Sequence, residues 1–274
     1  MVNFLHTFRP QPVIFSLGPI TVYWYGLFMV LGILAALAVA WRLAKYYKIN
    51  RDTLFDLAFW LIIGGLIGAR LYDCCLQLPF YLQHPLQILQ IWKGGLAIHG
   101  AIIAGLFIIW GFARRHKLNF WQLTSLIVPG LALAQAIGRW GNYFNQELYG
   151  LPTALPWGIP IDLFNRPATY ITNQYFQPTF LYESLGCLLI SALLIYLNSR
   201  ALKKERLNIR FYILATALYM ILYSILRFCL EFIRLDATPS LFGLRWPQII
   251  SLIIILFSAL IIFNLHVLER KNQS

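Results

Sequence analysis

Long apolar runs separated by short polar segments set the pattern of this chain. A helix needs about 20 apolar residues to cross the hydrocarbon of a bilayer. Seven runs approach that length: 20–44, 54–76, 96–113, 121–137, 179–197, 211–230 and 247–268. The third and fourth are counted as spans although they are short enough to be partly re-entrant. The pattern predicts an all-α polytopic membrane protein with about seven transmembrane helices, forming one integral-membrane domain over residues 1–274. Residues 139–178 form the longest segment expected outside the spans. They carry Pro152, Pro156, Pro160, Pro167 and Pro178, and a loop of that length is usually functional.

Composition agrees with this reading. Of the 274 residues 59% are hydrophobic and 12% charged, with a mean hydropathy of +0.67, a balance outside the range of soluble domains. The net charge of +12 requires no nucleic-acid partner, because the cations fall mainly in alternate connections. Arg42, Lys45, Lys48 and Arg51 follow the first run. Arg114, Arg115 and Lys117 follow the third, Arg200, Lys203, Lys204, Arg206 and Arg210 the fifth, and Arg270 and Lys271 close the chain. The positive-inside rule places that side in the cytoplasm, with the N-terminus outside and the C-terminus inside. Residues 1–21 lack a continuous apolar core and are not expected to be a cleaved signal peptide. Cys74, Cys75, Cys187 and Cys229 sit in apolar runs without metal spacing and read as small hydrophobes.

Eight cations escape the positive-inside pattern: Arg9, Arg70, Lys93, Arg139, Arg166, Arg227, Arg234 and Arg245. At membrane depth such groups call for anionic partners or an anionic ligand. Arg139 opens the polar stretch Gly138-Arg139-Trp140-Gly141-Asn142-Tyr143-Phe144-Asn145-Gln146-Glu147-Leu148-Tyr149-Gly150, directly after the fourth run. Three further clusters are expected at the same external depth. Gly94-Gly95-Leu96-Ala97-Ile98-His99-Gly100 opens the third span, with glycines that permit close backbone approach. Gln177-Pro178-Thr179-Phe180-Leu181-Tyr182-Glu183 enters the fifth. Arg227 and Glu231, four apart near the end of the sixth, share a helical face and can pair. Tyr25 stands early in the first span, where an interfacial aromatic belt is the plain alternative. For His99 that alternative is an interhelical hydrogen bond. These types suit the handling of a phosphate at a membrane surface, since guanidinium forks match phosphate oxygens. The zinc-helix, nucleophile-elbow and P-loop patterns are absent from the sequence.

The stretch Gly138-Arg139-x-Gly141-Asn142-x-x-Asn145-x-Glu147-x-x-Gly150 closely resembles the signature of bacterial phosphatidylglycerol–prolipoprotein diacylglyceryl transferases. Trp24-Tyr25-Gly26, the His99 motif, Pro178 through Leu181-Tyr182-Glu183, and Arg227 through Glu231-Phe232-x-Arg234 resemble that family in its order, over about residues 12–268. Three positions depart: Gln177 replaces a histidine, Phe180 a glutamine, and Pro247 a small residue.

The resemblance implies a bacterial inner-membrane enzyme with its active site toward the periplasm. Its substrates would be phosphatidylglycerol and a prolipoprotein signal peptide with a lipobox cysteine, and it would need no metal or organic cofactor. It implies catalytic roles for His99, Arg139, Arg227 and Tyr25. Phosphatidylglycerol binding would fall to Arg139, Asn142, Asn145, Glu147, Gly150, Arg227 and Glu231. His99 is the candidate base, with Glu147 as a second, and Gly150 is expected to supply a positive-φ turn. Arg70 and Glu183 are expected as supporting partners. A transporter or flippase for an anionic lipid is the main alternative, and an assembly factor without chemistry a weaker one.

Overall fold

A computed structural model describes residues 2–18 and 20–271. A short helix α1 (Val2–Thr7) precedes a hairpin of β1 (Val13–Leu17) and β2 (Ile20–Tyr23), followed by α2 (Trp24–Ala44), α3 (Arg51–Leu76) and α4 (Leu78–Gln83). Two 3-10 turns lead to α5 (Ile98–Arg115) and α6 (Phe120–Phe144). The strands β3 (Ile159–Pro160) and β4 (Tyr175–Phe176) pair across an irregular segment that returns to α7 (Thr179–Lys203). The helix α8 (Ile209–Leu230), a hairpin of β5 (Ser240–Leu241) and β6 (Leu244–Arg245), and α9 (Trp246–Lys271) complete the described chain.

Among the described residues, seven helices are long and apolar enough to cross a membrane: α2, α3, α5, α6, α7, α8 and α9. The expected spans are therefore present, with two corrections. The first begins at Trp24, because Ile20-Thr21-Val22-Tyr23 are strand-forming residues paired with β1. The short third and fourth runs are whole helices of 18 and 25 residues. The fourth passes through its polar signature to Phe144, so Arg139 and Asn142 lie on a helical turn and not in a loop leaving it.

The chain divides into two compact units, one built from residues up to Val39 and from Ile127 onward, the other from Ala40–Leu126. In the first, α2 meets α6 through small residues. A Cβ on Gly130 would lie 2.6 Å from the Ala36 carbonyl oxygen, and one on Gly32 would lie 3.1 Å from that of Ala134. Lipid gives helices no hydrophobic reason to associate, so close van der Waals approach of this kind does that work. Hydroxyls tie α7 to α6: Ser184 donates to Ala136 O at 2.7 Å and Ser191 to Pro129 O at 2.8 Å. An aromatic core holds the segment between α6 and α7. Leu5, Tyr143, Tyr149, Ile159, Ile161, Phe176 and Phe180 are buried together.

The second unit follows the same rule. A Cβ on Gly100 would lie 2.1 Å from the Gly68 carbonyl oxygen, so α5 and α3 touch backbone to backbone. Arg70 staples the connection between them. It donates to Ile88 O at 2.9 Å, Gly94 O at 2.7 Å, Gly95 O at 2.8 Å and Gln87 O, and stands 3.8 Å from Asp73. The backbone turns there at Gly94 and Gly95, with φ of 90° and 74°. Arg70 thus finds its partners in carbonyls and one carboxylate of its own unit.

Gly100→Val should lower the thermal unfolding midpoint in detergent, costing about 2 kcal/mol or more through forced separation of α3 and α5. Gly111→Ala, on the same helix with open space around it, should be neutral or slightly stabilising.

Candidate active site

The last turns of α6 and α8, the first turns of α7, and the connection from α8 to α9 bring their charges together in the first unit. Glu183 is the hub. Only 1% exposed, it takes Arg139 Nη2 at 2.7 Å and the Tyr223 hydroxyl at 3.1 Å on Oε1, and faces Arg234 Nη1 at 3.8 Å on Oε2. Glu231, also 1% exposed, faces Arg227 Nη2 at 2.8 Å, Arg245 Nε at 3.2 Å and Arg234 Nε at 3.9 Å. None of those contacts to Glu231 has hydrogen-bond alignment, so its attraction is mainly Coulombic. The expected Arg227–Glu231 pair forms as a helical i, i+4 contact. It is one edge of a larger network.

Asp236 closes the network on the outside. It accepts from Arg234 Nε at 2.7 Å and stands 3.7 Å from Arg245 Nη2. Arg245 also donates to the carbonyls of Glu231 at 3.1 Å, Arg234 at 2.8 Å and Asp236. Burial pushes the Asp236 carboxyl up, but the Arg234 hydrogen bond and the charges of Arg234 and Arg245 outweigh it and hold the pKa below the usual carboxylate range.

Among the described residues the network joins four guanidiniums, Arg139, Arg227, Arg234 and Arg245, to three carboxylates, Glu183, Glu231 and Asp236. Arg227 Nη1 is buried with no hydrogen-bond partner. Glu147, joined to Arg139 through Asn142, brings a fourth carboxylate to the edge of the cluster, so what distinguishes Arg227 is a buried guanidinium nitrogen without a hydrogen-bond partner. A buried donor without an acceptor costs about 1–3 kcal/mol, which a bound anion would recover.

The signature residues frame this network. Arg139 Nη1 donates to Asn142 Oδ1 at 3.1 Å, and Asn142 Nδ2 to Glu147 Oε1 at 2.7 Å; Asn145 Nδ2 reaches the same oxygen at 3.4 Å. Glu147 itself is exposed. Tyr25, half-exposed, lies against Gly141, where an added Cβ would come within 2.7 Å of its ring. Gly150 does not supply a positive φ; Gln146 and Leu148 do, at 52° and 55°. Gly150 is needed for space, since a Cβ there would lie 2.9 Å from Ile233 O and 3.0 Å from Gln177 and Thr179 side chains. That close approach lets Gly150 N donate to Gln177 O at 2.9 Å and Leu151 N to Ile233 O at 2.8 Å, binding the signature to the segment carrying Arg234.

His99 belongs to the second unit, where its exposed ring sits beside Tyr72 with centroids 5.9 Å apart. Among the described residues no three His, Cys, Asp or Glu side chains are grouped as a metal would require. The three departures occupy structural places. Phe180 is buried and stacks on Tyr143 at 4.6 Å, Gln177 serves Gly150 through its backbone, and Pro247 lies in the first turn of α9, where its missing N–H is harmless.

A family model described as prolipoprotein diacylglyceryl transferase matches residues 12–264. The chain belongs to that family. Similar relatives are named phosphatidylglycerol–prolipoprotein diacylglyceryl transferases. That of Synechococcus elongatus is 43% identical over 262 residues, 96% of this chain and 90% of the relative. That of a Nostoc species is 44% identical over 250 residues, 91% of this chain and 87% of the relative. That of a Synechocystis species is 40% identical over 263 residues, covering 96% and 92%.

Several residues of this diacylglyceryl transferase family member escaped the sequence reading as site members. Arg234, Arg245 and Asp236 join the network, and Glu183 moves from supporting partner to centre. Arg234 and Arg245 had a signal in their place among cations that positive-inside leaves unexplained, and Arg234 a second in the motif that ends on it. Gln146 had only its place in the polar stretch: it donates to Pro10 O at 2.9 Å and Asp162 Oδ2 at 2.7 Å, anchoring the signature to the aromatic core.

Glu183→Ala should destabilise by about 3–5 kcal/mol, the usual cost of stranding a buried partner charge, read as a lowered unfolding midpoint. The lowered Asp236 pKa contributes stability that is complete above the unfolded carboxylate value of about 3.9 and is lost as pH falls through the lower folded value. Asp236→Asn should therefore lower the midpoint at neutral pH and flatten its decline below about pH 4.

Proposed function

We propose that this chain transfers the diacylglyceryl group of phosphatidylglycerol to the thiol of a prolipoprotein lipobox cysteine, releasing glycerol 1-phosphate. The observation that carries the reading is Arg227 Nη1, a buried guanidinium nitrogen with no hydrogen-bond partner, within a cluster of four arginines. A phosphodiester headgroup has one negative charge and oxygens suited to that donor.

In this reading the cysteine sulfur attacks the glycerol carbon that bears the phosphate. The new C–S bond forms as the C–O bond breaks, and the leaving oxygen keeps the electron pair as a phosphate monoester. Arg139 and Arg227 hold the phosphodiester and offset the charge growing on it. A free thiol ionises near pH ~8.5, so a base is needed, and His99 accepts the proton on the strength of its motif and exposed ring. Asn142, Asn145 and Glu147 orient Arg139 and the headgroup, Tyr25 borders the same helix face, and Glu231 sets Arg227. The orientation follows the cations: the network faces the periplasm of a bacterial inner membrane, and residues 139–178 form an external head on a single transferase domain. The external aromatic core and the one-sided cluster favour chemistry on a lipid over its transport.

Purified protein with phosphatidylglycerol and a lipobox peptide should raise the peptide mass by one diacylglyceryl group and release glycerol phosphate. Arg139→Ala should abolish the gain. Arg139→Lys, lacking the planar fork, should lose roughly a hundredfold in rate. His99→Gln should remove the thiolate-dependent turnover near neutral pH. An unmodified peptide, or Arg139→Lys at full rate, contradicts the reading.

A further inference from the structure

The connection between α8 and α9 carries a feature that the transfer chemistry does not use. β5 and β6 pair as Ser240↔Arg245 and Leu241↔Leu244, leaving Phe242 and Gly243 as a two-residue turn. Both have positive φ, 53° and 78°, the type I′ pattern that favours Asn-Gly or Asp-Gly. A bulky residue at positive φ is an outlier, costing about 1 kcal/mol or more. Phe242 gains nothing from the protein in return: its side chain is 95% exposed. A residue that strains its turn and shows its whole ring outward is suited to a contact outside the chain.

Connectivity says what that contact is. β6 runs without a linker into the membrane-spanning α9, whose first residue Trp246 is 46% exposed. At about 3.3 Å per residue, Phe242 lies within about 13 Å of that helix start. Phe232, just beyond α8, is 63% exposed and Leu241 49%. Aromatic side chains at the ends of spanning helices mark the membrane–water interface. The ladder pairs only the inward-facing groups of the hairpin, so its backbone suits the interface, where water and headgroups satisfy the rest while the side chains reach inward. At the other end of the hairpin, Arg245 is locked to Glu231 and Asp236.

We propose that the Phe242 hairpin is a lipid-interface anchor, with Phe242 and Leu241 inserted among the acyl chains of the leaflet next to the arginine network. Through Arg245 it fixes the depth of that network relative to the lipid headgroups. The occupant is bilayer lipid, and a docked polypeptide is the competing outcome.

The test uses the full protein in phosphatidylglycerol–phosphatidylcholine vesicles, with Cys75 and Cys229, the exposed cysteines, replaced by alanine. A spin label on Phe242→Cys should relax with membrane-dissolved oxygen and resist a water-soluble nickel complex. A label reached freely by nickel overturns the proposal, as does one shielded only when a signal peptide is added. This readout needs no turnover, so its failure is distinct from failure of the transferase reading. As a second arm, Phe242→Leu should retain the transfer rate from vesicles. Phe242→Asn, which the turn accommodates better, should lose about fivefold, the effect of withdrawing a partly buried ring from hydrocarbon. Equal rates in the two variants overturn the proposal.

Discussion

Everything at the site depends on a carboxylate out of water. Glu183 stands in the first turns of α7 and is almost wholly buried, where an isolated anion would be strongly disfavoured. It persists because Arg139 and Arg234 reach it from different parts of the chain and Tyr223 donates to it. The dependence is mutual. Without Glu183, Arg139 could not hold a charged turn of a membrane-spanning helix. Its position in the last turns of α6 also suits a cation, since the helix dipole is negative there.

The protein answers the cost of burying so many arginines in two ways. Arg70 and Arg166 are structural: they spend their donors largely on backbone carbonyls, Arg166 on Ile161 O at 2.8 Å and Ile171 O at 3.0 Å. The four network arginines are instead held by carboxylates, and Arg227 keeps one nitrogen unpartnered. A site built this way is preorganised for an anion before the anion arrives, which is the condition under which electrostatic stabilisation is most effective. The aromatic core over α6 and α7, and Gly150 pressed against Ile233, hold the parts in register.

Much of this was legible in the sequence. Seven apolar runs became seven helices, and spacing alone paired Arg227 with Glu231. The end of the fourth span was misplaced because Arg139 and Asn142 look like loop residues until Glu183, 44 positions later, supplies the counter-charge. Sequence spacing has no access to such a contact. Gly150 was read as a turn residue because conformational freedom is the usual reason for glycine, whereas here the reason is the carbonyl of Ile233. The roles of Arg245 and Asp236 depend on a hairpin whose turn residues, Phe242-Gly243, do not announce one.

The central claim is that the network holds a buried guanidinium donor, Arg227 Nη1, in reserve for a phosphodiester. The most direct measurement is equilibrium binding of phosphatidylglycerol against phosphatidylcholine by native mass spectrometry, for the wild-type chain and for Arg227→Met. The account predicts a preference for the anionic lipid that Arg227→Met removes while the protein stays folded. An unchanged preference in Arg227→Met would contradict it.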